Sequence, residues 1–421
     1  MVYHCADRVG AEMAGPGIRA VELARRLSAA HEVELVAPGA TALDLPGVAR
    51  RELTPDAVGD ACRGADALIS QGFGFPLSAL RGFDGRLVLD LYDPVQLEQL
   101  AQFGDAPSPD QRTSLLYVRA RLHVLLRRAD HVLCASTAQR ALWLGWLGAT
   151  GRLTPEALAG DPEAHRLVAV VPFGVPERPP IAGDHPLRKP LGLGTEVPVA
   201  LWSGGLWDWM DPSLAIRAVA KLRDGGSPIH LVLLAGARPG GSPMRAAADA
   251  AREAVRVHSL EERVHFLERW IPYAERGEVL LDADVAVSAH RPSLESELAF
   301  RTRLLDCLWA RLPAAVTRGD VLAASAEQDG WGAAADPGDA DGFAAAIARL
   351  IEPESRARAR EAAARVALRY TWERSAAAVA ALLSAPAPLR PGGIVPGELA
   401  ANGALGAAWA VAQKLGRRLF R

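Results

Sequence analysis

Cysteine is scarce in this chain: Cys5, Cys62, Cys134 and Cys307 are the four in 421 residues, far apart and without a CxxC. That spacing argues against a disulfide framework or a cysteine zinc site. It fits a reducing compartment, with the thiols as small buried apolar groups. Long hydrophobic runs are missing too. No stretch of 18 apolar residues occurs, so no membrane-spanning helix is expected, and no charged start followed by an apolar core marks a signal peptide. The ten histidines show no HExxH or other ligand spacing, and neither a Walker A nor a G-x-S-x-G sequence occurs. The tight G-x-G-x-x-G of dinucleotide enzymes is also absent, which weighs against a dehydrogenase. A net charge of −2 does not favour nucleic acid as a partner. Lysine is scarce while Ala, Arg, Gly and Pro abound, a bias assigned to coding rather than function.

What remains is a globular composition, with 50% apolar and 23% charged residues, and a length that suggests two or three domains. Apolar strand-like runs alternate with amphipathic helical patterns, which points to parallel sheets wrapped by helices. The first half offers strands at Val2–Cys5, Glu32–Ala37, Ala67–Ser70, Leu87–Leu91, His131–Ala135 and Leu167–Val171. The second offers Val197–Trp202, Ile229–Ala235, Val264–Leu267, Val285–Ser288 and Ala314–Val316. Helices are expected between them, among them Ile18–Ala30, Thr113–Arg128, Pro212–Arg223, Pro243–His258 and Arg303–Ala310. The first strand is short, because Asp7 and Arg8 follow almost at once. The pattern thus occurs twice, and the Pro/Gly-rich stretch Val175–Val197 separates the two halves. The expected division is an N-terminal Rossmann-like domain over 1–175, a hinge over 176–196 and a second Rossmann-like domain over 197–385. A tail over 386–421 joins a Pro/Gly linker to a basic amphipathic helix from Leu405, with Lys414, Arg417, Arg418 and Arg421 near its end. That helix either docks on the surface or associates weakly with an anionic membrane. Two side-by-side Rossmann-like domains would bind ligands beyond their strands' carboxyl ends, in a cleft.

Residues 202–211, Trp-Ser-Gly-Gly-Leu-Trp-Asp-Trp-Met-Asp, carry the most chemistry. An apolar strand, Gly204-Gly205 and a helix start make either a tight turn with core tryptophans or an anion site, where glycine admits a ligand to the backbone and the helix offers unpaired N–H groups. Gly15-Pro16-Gly17 precedes a helix in the same way. There Arg19 lies in the first turn against the dipole, a cost offset only by a nearby anion. In Phe300-Arg301-Thr302-Arg303-Leu304-Leu305-Asp306, two arginines two apart at a helix start cannot face one way. One is expected to meet a phosphate, since a guanidinium fork suits phosphate oxygens, and the other a structural partner. Asp306 either accepts ribose hydroxyls or pairs with Arg303. In His290-Arg291-Pro292-Ser293-Leu294-Glu295-Ser296-Glu297, Glu295 and Glu297 are candidates for sugar hydroxyls, or the segment is a solvated loop. Asp282-Ala283-Asp284 and Asp339-Ala340-Asp341 are not placed to hold a metal; the second reads as a helix N-cap.

With these residues in view, the chain resembles the nucleotide-sugar glycosyltransferases of the GT-B fold, and within them family 4, whose members retain anomeric configuration. The likeness runs to about Ser384. Gly15-Pro16-Gly17 is similar to the glycine loop that lies against the donor diphosphate. Leu89-Asp90-Leu91-Tyr92-Asp93 is similar to the strand whose family form ends in His-Asp near the acceptor, with Tyr92 in the place of His. Arg128-Ala129-Asp130-His131-Val132 with Ser136 resembles the last N-domain strand, and Val171-Pro172-Phe173-Gly174-Val175 the segment entering the hinge. Ser203-Gly204-Gly205-Leu206 stands where the family has Gly-Arg-Leu and then Lys. Both basic residues are absent, and Arg303 with Arg301 is expected to replace their charge. The family's Glu-x7-Glu places its second Glu at Asp306 and its first at Leu298, beside Glu297.

The resemblance implies an α/β, GT-B architecture, two Rossmann-like domains with parallel sheets facing across a cleft. It implies a hexosyltransferase that needs no metal and no cofactor beyond its donor. Donor contacts would come from Gly15, Gly17, Gly204, Gly205, Arg301, Arg303, Asp306 and Glu295, and catalytic roles from Asp93, Arg303 and Glu297. The partners implied are a nucleotide-sugar donor and a sugar or lipid-linked acceptor, with no nucleic acid. The setting implied is bacterial envelope polysaccharide or glycoconjugate assembly in the cytoplasm, peripheral at the inner face of the plasma membrane. A nucleotide-sugar epimerase, a trehalose-type small-acceptor transferase and a catalytically silent scaffold are the alternatives.

Overall fold

The computed structural model describes residues 1–103, 107–237, 246–387, 403–404 and 406–407. The chain divides into two compact units. The first comprises Met1–Gly10, Gly15–Pro172 and the chain from Ser375; the second comprises Ala11–Ala14 and Phe173–Arg374.

The first unit is built on β1 (Val2–His4), β2 (Val33–Ala37), β3 (Val48–Glu52), β4 (Ala67–Ser70), β5 (Arg86–Asp90), β6 (His131–Cys134) and β7 (Val168–Val170). All pairings are parallel, in the order β3-β2-β1-β4-β5-β6-β7. β4 and β6 are buried at every residue, as their apolar runs require in a sheet covered on both faces. Leu68, Leu87, Leu89 and Val132 form one core with Leu122, Leu125 and Trp143 of the flanking helices. The second unit repeats the plan with β8 (Val199–Trp202), β9 (His230–Leu234), β10 (Val264–Leu267), β11 (Val285–Ser288), β12 (Ala314–Thr317) and β13 (Gly332–Ala335), ordered β10-β9-β8-β11-β12-β13 and again wholly parallel. Both sheets reverse direction beside their first strand, the doubly wound arrangement that opens a ligand crevice at the strands' carboxyl ends.

Two strands escape the periodicity reading, β3 and β13. Both are edge strands. β3 carries Arg50, Arg51 and Glu52 with only Val48 buried, a charged edge that blocks further pairing. β13 is Gly-Ala-Ala-Ala and has almost no strand propensity of its own. Helix Pro109–Arg128 starts earlier than the expected Thr113, because Ser108 Oγ accepts from Gln111 N (3.2 Å) and Gln111 Oε1 accepts from Ser108 N (2.7 Å). Helix Trp372–Ser384 is secured to the first unit: Ser375 Oγ donates to Pro172 O (2.9 Å), and Arg86 Nη1 donates to Leu383 O and Ala385 O (both 2.6 Å). All four cysteines are buried and free. Among the described residues no helix is long and apolar enough to cross a membrane. The expected helix Pro243–His258 is described over Ala246–Val257. Apart from 406–407, the basic helix expected from Leu405 lies outside the described residues, as does most of the linker before it.

Candidate nucleotide-sugar site

In the second unit β8 ends at Trp202 and the chain turns through Ser203, Gly204 and Gly205. Gly204 has φ +111°, where a side chain would strain the backbone, and a Cβ there would lie 3.5 Å from Arg303 Cζ. That separation is ordinary contact, so the positive φ rather than the space beside Arg303 is what calls for glycine. Arg303 lies in the first turn of helix Thr302–Trp309, whose start has neither a side-chain cap nor an acidic residue. Its Nη2 donates to Gly205 O (3.0 Å), and Nη1 is buried with no partner among the described residues. Burial, and then the neighbouring charge of Arg301, pull the guanidinium down to about 10. Arg303 is thus a half-buried cation with spare donors beside an open turn.

Arg301 is the structural member of the pair. It is buried, and its Nε lies 2.9 Å from Asp320 Oδ2, although the N–H is not aimed along that line. Asp320 also caps helix Val321–Gln328 by accepting from Leu322 N (2.8 Å) and Ala323 N (3.0 Å). Arg301 Nη1 too is buried and has no partner among the described residues.

Glu295 and Glu297 sit on a short helix, Leu294–Leu298, where a solvated loop was the simpler expectation; Ser293 and Ser296 cap it reciprocally. Glu295 is buried and acts electrostatically on both arginines, whereas Glu297 is exposed. Asp306 does not pair with Arg303. Its Oδ1 accepts from Arg276 Nε (3.1 Å), and Arg276 lies over the rings of Tyr273 (3.7 Å) and Trp309 (4.4 Å).

The helix expected to bind an anion after Gly205 is not available for it. A loop from Leu206 to Asp211 intervenes, Asp211 Oδ1 accepts from Leu214 N (3.1 Å), and Pro212 has no N–H. The chain's own carboxylate occupies that helix start, whereas helix Thr302–Trp309 begins without a side-chain cap and its Arg303 side chain reaches Gly205 O. Trp202 is fully buried, while Trp207 and Trp209 stack at 5.8 Å. Sequence reasoning passed over His290, quoted only as part of its segment. It is buried, Nδ1 has no partner among the described residues, and burial with Arg301 and Arg303 holds the imidazole well below its ordinary range. A lone histidine two residues past a buried strand carries no periodic signal that could have marked it.

In the first unit Gly15 and Gly17 open helix Gly15–Leu27, and a Cβ on Gly15 would meet Tyr92 Oη at 3.5 Å. The anion near Arg19 is the protein's own. Arg19 Nε donates to Asp90 Oδ2 (2.7 Å), Nη1 to Pro172 O (2.9 Å) and Nη2 to Val171 O (3.0 Å), and Tyr3 Oη donates to Asp90 Oδ2 (2.8 Å). Asp93 follows β5, partly buried, and its charge helps raise Tyr92. Both D-x-D triplets are structural. Asp282 accepts from Leu187 N and Arg188 N, Asp284 pairs with Arg188 and Arg356, and Asp339 caps a helix through Gly342 N. Among the described residues no three His, Cys, Asp or Glu side chains group as metal ligands.

Residues 197–353 match the family described as Glycosyl transferases group 1. The whole chain is similar in structure to Anabaena HepE in complex with UDP and glucose, at 15% identity and a TM-score of 0.67, covering 91% of this chain and 99% of that one. It is also similar to sucrose-phosphate synthase from Thermosynechococcus elongatus, at 18% identity and 0.64 over 90% and 97%. A third likeness is to an E. coli trehalose-6-phosphate enzyme bound with UDP-2-fluoro glucose, at 12% identity and 0.61 over 92% and 99%. No protein of curated function matches by sequence. The fold is therefore GT-B, two parallel-sheet Rossmann-like units. The family match on the second unit, which holds the Gly204–Arg303 arrangement, supports a glycosyltransferase.

Proposed function

We propose that the chain is a retaining glycosyltransferase of family 4 that moves a sugar from a nucleotide-sugar donor to an acceptor hydroxyl without a metal. The observation that carries this reading is Arg303: a guanidinium against Gly204 and Gly205, in the first turn of a helix without a side-chain cap, whose buried Nη1 has no partner among the described residues. Such a group suits a diphosphate, whose oxygens accept charge-assisted hydrogen bonds. In the transfer, the bond from the anomeric carbon to the phosphate oxygen breaks and its electron pair stays on the nucleoside diphosphate. The acceptor oxygen bonds to the same face of that carbon, and its proton passes to the departing phosphate. Arg303 and the turn amides stabilise the charge that develops there, with Arg301 behind them on Asp320. Glu295 and Asp306 are the carboxylates offered to sugar and ribose hydroxyls. Gly15, Gly17 and Asp93 are the candidates carried by the first unit, Asp93 toward a sugar or lipid-linked acceptor of envelope glycan assembly.

Calorimetric titration with UDP, GDP, ADP and dTDP and their sugars tests this, with UDP first because the similar structures hold it. At least one nucleotide is expected to bind. Arg303→Ala should weaken it about tenfold to a hundredfold, as for loss of a hydrogen bond to a charged group, with the melting temperature kept. Unchanged binding in that variant would refute the phosphate assignment. Leu298, in the place of the first family Glu, favours a second reading, a silent scaffold. Donor binding without turnover on any acceptor would establish it.

A further inference from the structure

β11 ends at Ser288, and the next two residues are stitched to the chain around them. Asp211 N donates to Ala289 O (2.9 Å), His290 N donates to Thr317 Oγ1 (2.9 Å), and Met210 pairs with His290 in an antiparallel bridge. The main chain from which the His290 imidazole projects is therefore fixed on both sides. The residue is 3% exposed, and its Nδ1 has no partner among the described residues. The same holds for Ser288 Oγ. Buried polar atoms are nearly always paired in folded proteins. Two unpaired ones at the end of one strand, beside two arginines with spare donors, mark a place that a ligand completes.

The two kinds of group ask for different partners. The guanidiniums complement phosphate oxygens. The imidazole, held neutral by burial and by the charges of Arg301 and Arg303, and the serine hydroxyl can each donate and accept, as a sugar hydroxyl does. A nucleotide sugar presents both chemistries in sequence, because its sugar is bonded directly to the outer phosphate.

We propose that His290, with Ser288 beside it, holds a hydroxyl of the transferred sugar, so that the site distinguishes a nucleotide sugar from the bare nucleoside diphosphate. This rests on the donor-site reading above and adds the residue that reads the sugar.

The test is a set of titrations on the full chain with the nucleoside diphosphate that binds, its sugar, and donors deoxygenated at one ring position each. For His290→Ala, affinity for the diphosphate should stay within about twofold, while affinity for the nucleotide sugar should fall about tenfold. His290→Asn, which keeps a neutral donor and acceptor, should recover part of the loss. One deoxy donor should bind the native protein about tenfold more weakly and bind His290→Ala no worse than the full sugar does. An unchanged ratio of sugar to diphosphate affinity in both variants overturns the role of His290 and leaves the donor site standing. Failure of every nucleoside diphosphate to bind the native protein overturns the donor-site reading, and this inference with it.

Discussion

Two largely enclosed arginines in this chain differ in what satisfies them. Arg19 is fully buried and meets Asp90 and two carbonyls, and Tyr3 donates to the same carboxylate. Arg303 meets a single carbonyl and lies over the Trp202 ring (5.6 Å), and its buried Nη1 has no partner among the described residues. The first is a closed structural network, the second an open site, and substitutions should separate them. Asp90→Ala leaves a buried guanidinium without its counter-ion and should cost about 3–5 kcal/mol in urea unfolding. Tyr3→Phe should cost about 1 kcal/mol. Gly204→Ala puts a methyl at φ +111° against Arg303. It should cost about 1–3 kcal/mol of backbone strain and weaken nucleotide binding in calorimetry. The fold should survive both this change and Arg303→Ala, read as an unchanged far-ultraviolet circular dichroism spectrum.

At the scale of elements, helix starts sort themselves by who occupies them. Ser108, Asp211, Ser293, Asp320 and Asp339 each cap the helix they precede. Helix Thr302–Trp309 begins without such a cap, and its Arg303 side chain reaches Gly205 O. Capping contributes about 1 kcal/mol where it exists. Ser108→Ala removes the hydroxyl that accepts from Gln111 N, one half of a reciprocal cap on helix Pro109–Arg128. It should lower stability by about 1 kcal/mol in chemical denaturation and leave nucleotide affinity unchanged, since that helix carries none of the candidate site residues. A loss of affinity in Ser108→Ala would show that the change is not confined to that helix.

Across the whole molecule, several histidines are held neutral inside. Burial pushes His4 down to about 3, and His131 and His290 are also lowered. Above pH 6.5 both folded and unfolded chains carry these rings neutral, and stability does not depend on them. Below it the unfolded chain takes up protons that the folded chain refuses, so stability falls as pH falls toward the folded value. His4 alone should cost about 2 kcal/mol at pH 5. Melting temperatures recorded from pH 7.5 to 5 should decline. His4→Gln, which gains no proton, should show a shallower decline from whatever stability it starts with. A parallel slope would show that other groups set the acid sensitivity.

Much of the fold is legible in the sequence. The central strands are apolar runs because both faces of a parallel sheet are covered, and the glycines at 204 and 205 announce a close approach to backbone. The edge strands β3 and β13 were hidden, because an edge can be charged or built of alanine and still pair. The partners of the charged residues were hidden too. Arg303 and Gly205 stand 98 residues apart, and Arg19 and Asp90 stand 71 apart. Only sheet order decides that Asp90 is the anion near Arg19, that Arg276 takes Asp306, and that Asp320 takes Arg301 and leaves Arg303 open. Periodicity and turn chemistry act over a few residues, so the sequence by itself determined the elements and flagged the groups able to bind a diphosphate. Which of those groups are already satisfied depends on charges meeting across strands distant in the chain, and that was decided by the tertiary structure alone.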